Sequence, residues 1–186
     1  MATIPYNKLA AGMVFHSHSD SPLGRLIQWA VTWGKPGKNT ENHTGFVVEY
    51  RGQLIAAETD GWHFRLNSLE GYAGKRNRLV AVFDPVVSRM EREDLLNAIA
   101  YKVRKDFDRP YDVAGAVASA PLAHKLFPWL RQKKDSDFCS EVGYELVKET
   151  CGSLTWPLEW EKSPPNPKQY ADWQRAHPAQ WKAVTL

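Results

Sequence analysis

Acyl-transfer chemistry needs a thiol or hydroxyl that can lose its proton, a base to take it, and a group to orient that base. Cys139, His43 and Glu58 are the residues of this chain whose types and positions fit those parts. Cys139 stands in Asp137-Phe138-Cys139-Ser140-Glu141, at the start of a helix predicted over 138–150. Helix N-termini carry unpaired amide N–H groups and the positive end of the dipole, and both favour a thiolate. Val142, Leu146 and Val147 on that helix face a core, which would fix the sulfur in place. A free cysteine is more commonly a small buried hydrophobe, so position alone leaves the two readings level.

His43 tips the balance. It lies at the mouth of a predicted hairpin, in which residues 44–50 and 53–59 flank Arg51-Gly52. A two-residue turn there pairs Thr44 with Thr59 and His43 with Asp60. Glu58 then shares a face with His43 as its diagonal neighbour, roughly 7–8 Å away at Cα and within reach of a Glu side chain. A carboxylate in that place would hold one ring nitrogen and turn the other toward sulfur. A slipped register would make Asp60 the rival orienter. The plainer alternative is a surface hairpin with an incidental His and Glu.

The elements that must position these groups follow from patterning. A first strand is predicted over 13–16, then a helix over 23–33 capped by Ser21 or Asp20, with Leu23, Leu26, Ile27, Ala30 and Val31 on one face. Further strands are expected over 62–66 and 78–83. Ser88-Arg89-Met90-Glu91 has capping-box spacing and opens a helix to about Phe107. Asp112 caps a small-residue stretch, 113–126, that reads as a buried helix. Ser136 or Asp137 caps the cysteine helix, and Gly152 closes it. Strands early and helices late predict an α+β fold with an antiparallel sheet.

Composition removes several functions. The chain has 186 residues, enough for one domain over 1–186, and 43 % hydrophobic residues to fill a core. Its 24 basic and 21 acidic residues are spread along the chain, and the one dense basic cluster, Arg131-Gln132-Lys133-Lys134, runs straight into Asp135 and Asp137. A nucleic-acid partner would need a basic face or stripe, so none is expected. Cys139 and Cys151 stand near opposite ends of one helix, about 18 Å apart at ~1.5 Å per residue, too far for a disulfide. Free thiols suit a reducing compartment. The first residues form no apolar signal core and no run is long enough to span a bilayer, so a cytoplasmic protein without a stable membrane anchor is expected, with signal-independent export as the other route. His16-x-His18 with Asp20 lacks a second cluster at ligand spacing, so neither a metal nor another cofactor is expected. His63, His124 and His177 have no local partners and read as surface or helix-end residues. Of eight tryptophans, Trp156, Trp160, Trp173 and Trp181 fall in a Trp- and Pro-rich tail over about 155–186, read as packing rather than a substrate groove.

Seven short segments occur in one order: Gly12-Met13-Val14-Phe15, Ser17-His18-Ser19-Asp20, Leu26-Ile27-Gln28-Trp29-Ala30, His43-Thr44-Gly45-Phe46-Val47, Ala57-Glu58, Pro110-Tyr111-Asp112 and Phe138-Cys139-Ser140-Glu141. Together they resemble the circularly permuted branch of the NlpC-type papain-like hydrolases, the YiiX-like cysteine peptidases. The resemblance covers about residues 10–145, with an echo of the family's Ser-Pro ending at Ser163-Pro164. In ordinary members the cysteine helix precedes the strands that bear His, whereas the permuted order, seen here, puts His first. Ordinary members have Asp-Cys-Ser-Gly where this chain has Phe138-Cys139-Ser140-Glu141.

The resemblance implies a partly barrelled sheet packed against the nucleophile helix, with Cys139 as nucleophile, His43 as base and Glu58 as the third polar residue. It also implies that Tyr111, 28 residues before Cys139, stands near the scissile bond or the oxyanion. The implied substrate is a peptide or other amide, an isopeptide or cell-wall peptide among them, cleaved through an acyl-enzyme. Two alternatives remain. The same triad serves lipid acyl transfer in the lecithin:retinol acyltransferase group, which tends to place a second histidine where this chain has Glu58. The other is an inactive binding module that works through the Trp-rich tail.

Overall fold

Arg51 and Gly52 both take positive φ, 52° and 75°, as the two central residues of a type I′ hairpin turn do. Glycine adopts that conformation without steric cost. The turn joins β2 (His43–Tyr50) to β3 (Gln53–Thr59), with Tyr50 opposite Gln53 and Gly45 opposite Glu58. That is the register of a two-residue loop, and it leaves His43 and Glu58 on one face.

The computed structural model describes residues 4–32, 35, 37, 40–59, 64–105 and 139–186. Within them the hairpin belongs to a six-stranded sheet completed by β1 (Val14–Ser19), β4 (Phe64–Asn67), β5 (Asn77–Pro85) and β6 (Trp181–Ala183). Strand order is β4-β3-β2-β1-β5-β6, and every neighbouring pair is antiparallel. β1 runs three residues beyond the stretch its apolar pattern predicts, because His16 and His18 are buried with partners rather than solvated. Its pairing with β5 shifts register between His16 and Ser17, a bulge in the strand beside the site.

Four helices are described: α1 (Pro22–Val31), α2 (Arg89–Lys105), α3 (Cys139–Thr150) and α4 (Pro167–Ala176). Ser21 caps α1, its hydroxyl accepting from the Gly24 N–H at 3.0 Å. Leu26, expected on the buried face of α1, is instead 44 % exposed, while Ile27 and Gln28 turn inward. Ser88 and Glu91 form the reciprocal bonds of a capping box at the start of α2. Gly152 stands at the C′ position of α3, as expected, one past the Cys151 cap, although without a positive φ. The chain leaves α3 through a turn in which the Leu154 N–H donates to the Cys151 carbonyl at 3.1 Å. The small-residue helix expected over 113–126 and the caps Ser136 and Asp137 lie outside the described residues.

One face of the sheet offers Val14, Phe46, Ala57 and Phe83 to Leu95 and Ile99 of α2 and to Val142 and Val147 of α3. The other packs Phe15, Val47, Ala56 and Val82 against Leu9, Met13 and Leu69. The tail's aromatic residues join the first of these clusters. Trp156, Trp160 and Trp181 meet Tyr144 or Tyr170 mostly edge to face, so the tryptophans are packing, as expected. Unforeseen is that the tail contributes α4 and, through β6, an edge strand to the sheet. Both cysteines are free and buried, and no described helix is long and apolar enough to cross a membrane.

Candidate active site

His43 opens β2, and the next residues hold that end of the strand tightly. Gly45 sits where a Cβ would lie 2.6 Å from the Phe15 ring and 3.0 Å from the Glu58 Cβ. On the opposite face, a Cβ on Gly143 of α3 would approach the Thr44 Cγ2 to 3.1 Å. Two glycines therefore let strand, neighbouring strand and helix close on one another around His43. The same approach brings α3 to His43 with Cys139 as its first residue.

The imidazole is held from two sides. Nε2 meets Glu58 Oε2 at 2.5 Å, and the ring also hydrogen-bonds the Cys139 thiol. With Nε2 on the carboxylate, Nδ1 is the nitrogen left for sulfur. Burial pulls the His43 pKa down, but the charges of Cys139 and Glu58 and their hydrogen bonds outweigh it and push the value up to about 10. His43 therefore carries a proton across the neutral range.

Glu58 is 3 % exposed and accepts three hydrogen bonds. Besides His43, Asn67 Nδ2 donates to Oε1 at 2.9 Å and the Tyr72 hydroxyl donates to Oε2. Burial works to raise its pKa, yet the facing imidazolium and these donors bring it below the ordinary carboxylate value, so Glu58 is ionised. Tyr72 closes a short 3-10 turn, Leu69–Tyr72, that is anchored by the fully buried Leu69. Its ring lies parallel to that of His43, 6.4 Å between centroids and 10° between planes, and tilts against Phe15. Burial and the Glu58 charge hold its phenol neutral well beyond pH 10.

Cys139, His43 and Glu58 are thus brought together. Tyr111, Asp60, His63 and His124 lie outside the described residues. Asn67 and Tyr72 were not singled out from the sequence. Asn67 was within reach of the argument, since β4 pairs Ala56 with Asn67 and Glu58 with Arg65, which makes Asn67 diagonal to Glu58 just as His43 is. Tyr72 comes from an irregular turn and left no periodic signal.

A cleft of about 490 Å³ opens beside His43, Glu58 and Tyr72. Its remaining described lining is polar, with Ser17, Ser19, Asn42, Asn67, Asn77 and Arg65 among it and Ile27 as its one aliphatic side chain.

The other histidines of β1 are engaged elsewhere. His16 is fully buried between Thr44 Oγ1 at 3.0 Å and Gln174 Oε1 at 2.5 Å. His18 meets Asp20 at 3.0 Å and also Gln28 and the Thr40 carbonyl.

No family model matches the chain, and no curated protein sequence matches it. Five chains among solved structures do. One is the crystal structure of the metalloprotein YiiX from Escherichia coli O157:H7, of DUF1105, at 18 % identity and a TM-score of 0.60, over 96 % of this chain and 97 % of that one. The likeness is one of fold, and the chain has a YiiX-like α+β fold. Among the described residues no group of three or more His, Cys, Asp or Glu is arranged to hold a metal ion. His16 and His18 also have both ring nitrogens engaged by protein groups. These described residues do not fit a metal site.

Proposed function

We propose that this chain is a cysteine hydrolase of the permuted NlpC-type, papain-like kind, with Cys139 as nucleophile, His43 as acid and base, and Glu58 as the group that orients His43. The observation that carries the reading is the imidazole held between the Cys139 thiol and a buried carboxylate. An imidazolium beside sulfur at a helix start favours the thiolate, the reactive form.

The thiolate of Cys139 attacks the substrate carbonyl carbon, and backbone N–H groups at the start of α3 receive the developing oxyanion. His43 gives its proton to the leaving nitrogen, the C–N bond breaks, and the acyl group remains on sulfur as a thioester. Water then attacks the thioester while His43 takes the water's proton, which releases the acid and restores the thiolate. Glu58 stays ionised throughout and keeps Nε2 protonated, so that Nδ1 does the exchanging.

An amide or isopeptide in a peptide is the substrate this site suits best. The cleft beside His43 carries hydroxyls, amides and one guanidinium among its lining, which match the polar groups of a peptide. The test is turnover of a panel of peptide amides, side-chain isopeptides and acyl esters by wild type and Cys139→Ala. Amide cleavage that disappears in Cys139→Ala is the expected result. Turnover that survives in Cys139→Ala would refute the reading, and turnover confined to long-chain acyl esters would replace its substrate.

A further inference from the structure

The carboxylate that faces His43 is itself held in place, and besides His43 the groups that hold it are the phenol of Tyr72 and the side-chain amide of Asn67. We infer that Tyr72 is a positioning residue of the site, which fixes Glu58 through its hydroxyl and backs His43 with its ring. The inference rests on the hydrolase reading and adds to it a residue that neither the sequence pattern nor the fold likeness supplies.

Three observations carry it. The Tyr72 hydroxyl donates to Oε2 of Glu58, the same oxygen that takes the proton of His43 Nε2. A carboxylate rotates freely about its last bond, so a single imidazole contact leaves its plane undefined. Tyr72 on Oε2 and Asn67 on Oε1 fix that plane, and the imidazole then has one direction to follow. Second, the Tyr72 ring is parallel to His43 and packed against Phe15, which limits the swing of the imidazole away from α3. Third, the phenol spends its one proton on Glu58, so its part is to hold the carboxylate rather than to donate to a substrate oxyanion.

The titratable or charged groups that face Glu58 are His43 from β2, Arg65 opposite it on β4, Tyr72 from the 3-10 turn, and beyond His43 the Cys139 thiol of α3. Of these, only Tyr72 can be stripped of its polar atom with little change of shape. Its bond to the charged form favours the ionised carboxylate, so its loss lets Glu58 take a proton at higher pH.

The experiment measures the alkylation rate of Cys139 by iodoacetamide against pH in wild type, Tyr72→Phe, Glu58→Gln and the double variant. In Tyr72→Phe the acid limb of the profile should move up by about 0.5 unit or more, because the thiolate–imidazolium pair depends on an ionised Glu58. In the Glu58→Gln background the same replacement should move the acid limb no further, since the amide has no ionisation left for Tyr72 to favour. Tyr72→Phe with an unmoved acid limb, or with an equal rate loss in both backgrounds, would overturn the inference while leaving the hydrolase reading intact. A wild-type Cys139 no more reactive than Cys151 would overturn both. Asn67→Ala removes the other donor from Glu58 and should shift the acid limb in the same direction. A Tyr72→Phe protein that fails to fold leaves that shift to decide, and its absence would again count against a held carboxylate.

Discussion

A carboxylate buried to 3 % exposure stays ionised only where a cation and donors compensate for lost water, and Glu58 has His43, Asn67 and Tyr72 for that purpose. Replacing it with Gln keeps the size and an acceptor oxygen but removes the charge that steadies the imidazolium. Turnover, or Cys139 alkylation near neutral pH, should fall at least about tenfold, equivalent to ~1.4 kcal/mol, with the fold retained. An unchanged rate would remove Glu58 from the account. Burial does not distinguish the two thiols, which are 3 % and 0 % exposed, but chemistry does. Burial raises the Cys151 pKa, and among the described residues no imidazolium faces it. At this scale the juxtaposition of Cys139, His43 and Glu58 was legible in the sequence because each lies in an element with a regular period. Tyr72 was not, because a 3-10 turn after β4 has no period to read.

The hairpin and α3 are the elements that convert sequence order into geometry, and glycines govern how closely they approach. Gly45→Ala would drive a methyl into Phe15 and Glu58 in a closed space. It should cost about 1–3 kcal/mol of stability and reduce Cys139 reactivity together, as read by denaturant melts and alkylation. Gly52→Ala gives the informative contrast. Nothing lies within 4 Å of the added methyl, so only the strained φ of 75° is penalised, by ~1–2 kcal/mol, and the site 20 Å or so along the strand should keep its reactivity at roughly 3.4 Å per residue. Equal losses of reactivity in both variants would mean that the hairpin acts through stability alone. The hairpin register was fully readable, since Arg51-Gly52 admits a two-residue turn and parity does the rest. The buried side of α1 was misjudged at Leu26, because periodicity locates an apolar stripe without saying where the neighbouring elements stop covering it.

At the scale of the whole molecule, His16 links β1 near the start of the chain to α4 near its end. Gln174 Oε1 can only accept, so His16 Nε2 carries the proton and Nδ1 accepts from Thr44. Burial, the largest influence, lowers the His16 pKa to about 3, whereas in the unfolded chain it is about 6.5. The unfolded state thus binds a proton that the folded state refuses. The stability His16 contributes is present above pH ~6.5 and is lost as pH falls toward 3, at about 1.4 kcal/mol per unit. Glu58, whose pKa is held low, adds its own loss only below about 4.3. His43 is protonated in both states over most of the interval between. Melting temperature should therefore drop between pH 6.5 and 4.5, and His16→Gln, though less stable at neutral pH, should show a shallower slope there. A parallel slope would assign the acid sensitivity elsewhere. The sheet and its helices followed from strand and cap signals, but the closure of the chain by α4 and β6 did not. The tail's prolines and tryptophans masked a capped helix, one of whose buried residues, Gln174, bonds a histidine 158 residues away.

The most direct test of the central claim is the rate of Cys139 alkylation by iodoacetamide between pH 6 and 8, with Cys151 in the same molecule as the internal standard. The account predicts a Cys139 rate already at its plateau at pH 6 and flat to pH 8, well ahead of Cys151. In His43→Ala the Cys139 rate should climb like that of an ordinary thiol, with a midpoint near ~8.5. A wild-type Cys139 whose rate climbs about tenfold per unit across that range, indifferent to His43→Ala, would contradict it.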